Sequence, residues 1–318
     1  MALYVITGVA GFIGSALARA VLAQGDQVVG VDNMATGRRE NLAEILEQID
    51  FREHDINDMP KMSAACRGAA YVLHQAAIAS VPRSVRDPEG SNRANVDGTL
   101  AVLMAARSAG VKRVVYAASS SAYGDNPALP KKEDMLPLPI SPYAAAKLAA
   151  EHYMGSFYKC YGLETVSLRY FNIFGPRQDP TSQYSAVLAK FITQMLAGEE
   201  PTLFGDGEQS RDFTYIDNCV RANLLACTAP AEKVAGKVFN IACGERFSLN
   251  QTVELLKKLT GYKGKVKHAE PRAGDVKHSL ADISAARVAL GYEPKIDYEE
   301  GLRRTVEWCR GQAKTAKA

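Results

Sequence analysis

Six cysteines in 318 residues form no C-x-x-C pair, and the five histidines fall at no metal-ligand spacing. That pattern argues against a zinc ribbon, a dithiol redox centre or a disulfide framework. Cys66, Cys160, Cys219, Cys227, Cys243 and Cys309 read as reduced thiols of a cytoplasmic protein, with no bound metal expected. A net charge of +3 comes without a dense basic cluster, so no nucleic-acid surface is expected. The apolar start lacks a basic n-region and is interrupted by Gly8, Gly11 and Gly14. No other long apolar run occurs, so neither a signal peptide nor a membrane span is expected. Internal repeats are absent as well.

What is present is alternation. Apolar strand patterns at Leu3 to Thr7, Gln27 to Val31, Phe51 to Asp55, Tyr71 to His74, Arg113 to Ala118 and Thr165 to Arg169 are separated by helical patterns. The latter include a helix from Phe12, Asn92 to Ser108 and Tyr143 to Tyr161. This predicts an α/β fold with a doubly wound, Rossmann-type parallel sheet over residues 1–170. Beyond Phe171 the pattern is mixed. Short strands near Thr202 to Phe204 and Val238 to Ile241, and helices near Ser185 to Ala197 and Leu249 to Leu259, predict a smaller mixed α/β lobe over 171–318, with the chain free to cross back. Gly311 to Ala318 reads as a frayed tail.

Three motifs carry chemistry. Gly8-Val9-Ala10-Gly11-Phe12-Ile13-Gly14 joins a strand to a helix, so backbone amides and the positive helix end can face a pyrophosphate. Its G-x-x-G-x-x-G spacing departs from G-x-G-x-x-G. Alone it is also an ordinary tight turn, but the next strand ends in Asp32, where a ribose diol is expected. Asp32 favours NAD over NADP, while Arg38 and Arg39 pull the other way. Tyr143 and Lys147 lie one helical turn apart on one face, where the ammonium can lower the phenol pKa. Ser119-Ser120-Ser121 follows a strand and can supply hydroxyls or a helix cap.

With these residues in place, the chain resembles the extended short-chain dehydrogenases/reductases. Within them it is most similar to the UDP-sugar 4-epimerases, and among these to the UDP-N-acetylglucosamine 4-epimerases. The similarity runs from Leu3 to about Trp308. The resemblance implies Ser119, Tyr143 and Lys147 as the catalytic set, with Tyr143 removing the hydroxyl proton as hydride leaves to NAD. It implies NAD contacts from Gly8, Gly11, Phe12, Ile13, Gly14, Asp32, Asn33, Thr36, Gly37, Asp55, Ile56, Gln75, Ala76, Ala77, Asn95, Tyr143, Lys147 and Tyr170. For the UDP-sugar it implies Ser120, Ser121, Asn172, Ala186, Val187, Lys190, Thr202, Phe204, Arg211, Arg272, Asp275 and Ser279. In that set Arg211 and Arg272 hold the pyrophosphate and Asp275 the uridine ribose. Arg211-Asp212 also reads as a plain surface pair.

Substrate choice turns on Ser279. Relatives restricted to glucose and galactose usually carry tyrosine there, so serine leaves room for an N-acetyl group at carbon 2, unless the loop runs differently. The 4,6-dehydratases and uronate decarboxylases usually place a carboxylate in the segment Ser119 to Tyr123, which has none. A nucleotide sensor without chemistry is the remaining class, and it typically lacks the tyrosine or lysine. Arg83 reads first as a surface residue and second as a contact to substrate. The resemblance also implies a homodimer through the helices from Asn92 and from Tyr143. Leu100, Leu103, Met104, Tyr153, Met154 and Phe157 fit either that face or the core.

Overall fold

The computed structural model describes residues 1–181, 187–270 and 277–315, with side chains to 312. Strands β1 (Leu3–Thr7), β2 (Gln27–Asp32), β3 (Asp50–Glu53), β4 (Tyr71–His74), β5 (Arg113–Ser119) and β6 (Glu164–Tyr170) form one parallel sheet with a seventh strand, Lys237–Ile241. Their spatial order is Lys237–Ile241, β6, β5, β4, β1, β2, β3, which is the doubly wound Rossmann arrangement. The order reverses between β1 and β4. There the carboxyl ends of the two strands, Thr7 and His74, stand side by side and open the crevice in which such sheets bind ligands.

Helices cover both faces, which is why the central strands are continuous apolar runs rather than alternating ones. Val5 and Ile6 of β1 and Val114 and Val115 of β5 are fully buried. Helix α1 (Phe12–Ala23) starts at Gly11, and helix α2 (Pro142–Tyr161) begins with Pro142 at its first position. Ser141 caps α2 by accepting from the Ala144 N–H at 3.2 Å, a bond of about 1 kcal/mol in such caps. The left-handed Gly162 ends it. The second lobe has its own aromatic core, in which Tyr298 stacks on Phe213 at 5.1 Å and on Phe247 at 4.4 Å between centroids.

Several expectations change. The strand expected at Phe51 to Asp55 is Asp50–Glu53. The helix expected over Asn92 to Ser108 is divided by a π-helical turn, Arg93–Asp97, between Pro88–Asn92 and Gly98–Ser108. Asn95 accounts for this turn: its side chain accepts from the Ile78 N–H at 3.0 Å and donates to the Ile78 carbonyl at 3.3 Å, so it reaches outward to a neighbouring loop. The strand foreseen at Val238 to Ile241 in the C-terminal lobe extends the large sheet beside β6 instead. Gly311 to Thr315, foreseen as a frayed tail, continue the helix Tyr298–Thr315. Leu103, Met154 and Phe157 are core, whereas Met104 and Tyr153 are 49% and 38% exposed. All six cysteines are free thiols. Among the described residues no helix is long and apolar enough to cross a membrane, and no His, Cys, Asp and Glu cluster could hold a metal.

Candidate functional site

The glycine turn is closed by contacts that admit no side chain. Gly8 has φ +70°, and a Cβ there would lie 2.8 Å from Ala76 Cα; one at Gly14 would lie 2.1 Å from the Gly8 carbonyl oxygen. Phe12 and Ile13 turn their side chains into the core of the second lobe. Their backbone amides remain at the start of α1, where no acidic residue occupies the first turn. This is the arrangement that accepts a pyrophosphate. Asp32, buried at the end of β2, accepts from the N–H of Ala10 at 2.9 Å and of Met34 at 2.9 Å. Burial raises its carboxyl pKa and these two bonds oppose the rise. Gly37 lies so close that a Cβ would meet Asp32 Oδ1 at 2.8 Å, and Thr36 beside it is exposed. Asn33 donates to Asp55 Oδ2 at 2.8 Å, and Ile56 packs against Gly98 of the helix behind.

At the neighbouring strand ends a second group assembles. Lys147 is buried, with Nζ 4.4 Å from the centroid of the Tyr116 ring on β5. Burial pushes the ammonium pKa down to about 7, against the pull of Glu151. Tyr143, one turn earlier, is half-buried, and its backbone N–H donates to Ser84 Oγ at 3.0 Å. Ser84, buried on helix Val81–Arg86, thus anchors the start of α2. Ser119 closes β5. Its Oγ lies 2.8 Å from Ser121 Oγ and accepts from the Ser121 N–H at 3.2 Å, so the cap role foreseen for the serines is real; Ser120 is half-buried beside them.

A buried relay not foreseen from the sequence runs under this group. Thr99 donates its only hydroxyl proton to the Asn95 carbonyl at 2.7 Å, so it accepts from His74 Nε2–H at 3.0 Å. His74 Nδ1 then accepts from the Thr7 hydroxyl at 2.7 Å, and Thr7 Oγ1 accepts from the Ala76 N–H at 3.2 Å. Burial and the nearby Lys147 charge push the His74 pKa down to about 3, so this imidazole is neutral. Tyr170 and Gln75, expected as cofactor contacts, hold each other: the phenol donates to Gln75 Oε1 at 3.2 Å and accepts from Asn223 Nδ2 at 2.8 Å. Ala77 follows on the same loop, half-buried.

In the second lobe the structure brings Asn172 and Ser279 together. Asn172, at φ +38°, donates to Ser279 Oγ at 3.3 Å and to the Asp212 carbonyl at 3.0 Å. Arg211 donates to the carbonyls of Ser210 and Lys277, each at 3.0 Å. Asp212 is not the surface partner of Arg211. It is fully buried and accepts from the N–H groups of Cys243, Gly244 and Ala281 at 3.0, 3.1 and 3.2 Å, with burial pushing its pKa up to about 7. Thr202 and Phe204 lie on a strand paired with Lys267–Ala269; Val187 is half-buried and Lys190 exposed on helix Val187–Ala197. Ala186, Arg272 and Asp275 lie outside the described residues. His74 and Ser84 were missed because a lone histidine or serine has no spacing to mark it.

Comparison with known proteins gives the family and the same fold. Residues 4–242 match the NAD dependent epimerase/dehydratase family. A solved UDP-glucose 4-epimerase from Thermotoga maritima with UDP-glucose is 41% identical, with TM-score 0.93, over 98% of this chain and 99% of that one. A UDP-N-acetylglucosamine 4-epimerase from Methanobrevibacter ruminantium, in complex with UDP-N-acetylmuramic acid, is 41% identical with TM-score 0.92, over 98% and 99%. A UDP-glucuronate 4-epimerase from Thermodesulfobacterium geofontis is 35% identical over 330 aligned positions, covering 100% of this chain and 99% of the relative. The protein is thus an NAD-dependent enzyme, and the chain belongs to the NAD dependent epimerase/dehydratase family.

Proposed function

We propose that the protein inverts carbon 4 of a UDP-hexose through a transient 4-keto sugar, and that UDP-N-acetylhexosamines are among its substrates. The observation that carries the reaction is Tyr143 with Lys147 one turn apart on α2, with Lys147 over the Tyr116 ring of β5, the strand beside β4 at the sheet crevice. Bound NAD would take hydride from carbon 4 and return it. Gly11 to Gly14 would hold its phosphates, Asp32 its adenosine ribose and Lys147 its nicotinamide ribose. Tyr143 removes the hydroxyl proton at carbon 4 as the ketone forms and gives it back on reduction, so one base serves both directions. The Ser119 hydroxyl orients the substrate oxygen toward the phenol. Arg211, with Arg272 and Asp275, grips the nucleotide while the sugar turns over.

The N-acetyl reading rests on Ser279. Its short side chain, hydrogen-bonded to Asn172, supports an open wall at that position. A second reading, a UDP-uronate 4-epimerase, is favoured by the full-length similarity to the UDP-glucuronate enzyme. NMR of the protein incubated separately with UDP-N-acetylglucosamine, UDP-glucose and UDP-glucuronate, following the anomeric signals, separates the readings. Conversion of the N-acetyl sugar supports the first, and conversion of the uronate alone replaces it with the second. A Ser279→Tyr variant is expected to lose N-acetyl turnover at least tenfold more than plain-sugar turnover; equal loss removes the size argument. The exposed Met104 and Tyr153, on the two helices expected at a dimer face, support a homodimer, and the six free thiols support a cytoplasmic setting.

A further inference from the structure

Arg38 and Arg39 stand where an arginine would accommodate the 2′-phosphate of NADP. The Arg38 backbone N–H donates to the Ala10 carbonyl at 3.0 Å, and its neighbour Gly37 touches the Asp32 carboxylate. A guanidinium rooted there can reach a ribose held by Asp32. It is drawn elsewhere: Arg38 pairs with Asp179 Oδ2 at 2.6 Å and lies 3.4 Å from the Thr181 hydroxyl. Asp179 belongs to the segment after Phe174, and its other oxygen is fixed by the Thr181 N–H at 2.9 Å and hydroxyl at 2.7 Å. Arg39 is taken in turn by Glu53 at the end of β3, with its guanidinium over the Phe51 ring. Both cations beside the ribose site are therefore matched by carboxylates that come from other parts of the chain.

We propose that Asp179, seconded by Glu53, is a cofactor-specificity residue: it withholds Arg38 from a 2′-phosphate, so that the site takes the dinucleotide lacking that group. Asp32 repels the phosphate, and Asp179 and Glu53 remove the charges that would have welcomed it. The two effects are separable, because Asp32 acts by its own charge and Asp179 only through Arg38.

The test is titration of cofactor-stripped protein with NAD and with NADP, comparing wild type, D179N, E53Q and D179N/E53Q. An exposed ion pair is a weak competitor, so the expected change is modest. NADP should bind about three- to fivefold more tightly in D179N and more so in the double variant, with NAD affinity changed by less than twofold. Adding R38Q to D179N should abolish the gain. The same series in a D32N background brings NADP affinity into easy range. Should D32N disturb the turn it caps, the ratios in the wild-type background carry the result. Unchanged NADP affinity, or equal shifts for both dinucleotides, overturns the proposal; equal weakening would make Arg38 and Asp179 a clasp on the cofactor loop without a role in choice.

Discussion

At the foot of α2 and one turn further along it, the protein buries two positive charges and treats them oppositely. Arg169 of β6 is held by a carboxylate in a two-point pair: Glu151 receives its Nε at 2.9 Å and Nη2 at 2.7 Å, and its guanidinium lies 4.7 Å from the Tyr123 ring centroid. Burial works against that charge, but the carboxylate outweighs it and holds the arginine protonated. Lys147, four residues before Glu151, has no carboxylate of its own. Among the described residues its ammonium forms no ion pair and lies over the face of Tyr116, and its pKa falls to about 7. The first charge is paired; the second, to which the proposed function gives a ligand and a phenol, is left without a carboxylate, at a cost in stability.

The largest expected effect strikes the second neighbourhood alone. Tyr143→Phe should lower turnover by about 10²- to 10⁴-fold, the range for removing a general base, with NAD affinity unchanged by titration. Near-normal turnover would remove Tyr143 from its role. Next, Arg169→Met strands the buried Glu151 and should cost about 3–5 kcal/mol of unfolding free energy in a denaturant titration. Most of that should return in Glu151→Leu/Arg169→Met; if it does not, the pair is more than mutually dependent charge.

A third prediction concerns pH. The folded state holds His74 neutral down to about pH 3, while the unfolded chain takes up a proton near its ordinary value of 6.5. Stability from this group is therefore fully present above pH 6.5 and lost as the pH falls below it, by roughly 2 kcal/mol at pH 5. Denaturation at several pH values should show this slope reduced in His74→Gln. The smallest effect sharpens the contrast. Lys147→Met should leave the cofactor-free protein as stable as before or more stable, because it removes a buried ammonium that the fold holds at a cost, yet should still impair turnover. A loss as large as that of Arg169→Met would erase the distinction.

The cofactor half of the molecule was legible because its constraints are local. Gly8 and Gly14 are required by backbone contacts a few residues away or at the next strand end, Asp32 ends an apolar run, and Tyr143 and Lys147 share a helical face by spacing alone. The rest depends on contacts distant in sequence. Lys237–Ile241 reads as a strand, but nothing local says that it pairs with β6. Asp212 looks like half of a surface pair until the segments at Cys243 and Ala281 fold over it. The π-turn at Asn95 follows from a loop 17 residues earlier in the chain. The partners of Arg38 and Arg39 were invisible for the same reason, since Asp179 lies far along the sequence.

The central claim is that one hydride leaves and returns within this site, with Tyr143 moving the only proton. It is tested most directly by incubating the protein with UDP-hexose deuterated at carbon 4, in ordinary water, and reading the epimer by NMR. The account predicts that the epimer keeps its deuterium at carbon 4, and that the Tyr143→Phe protein forms no epimer. Loss of deuterium to solvent during inversion, or inversion without Tyr143, would contradict it.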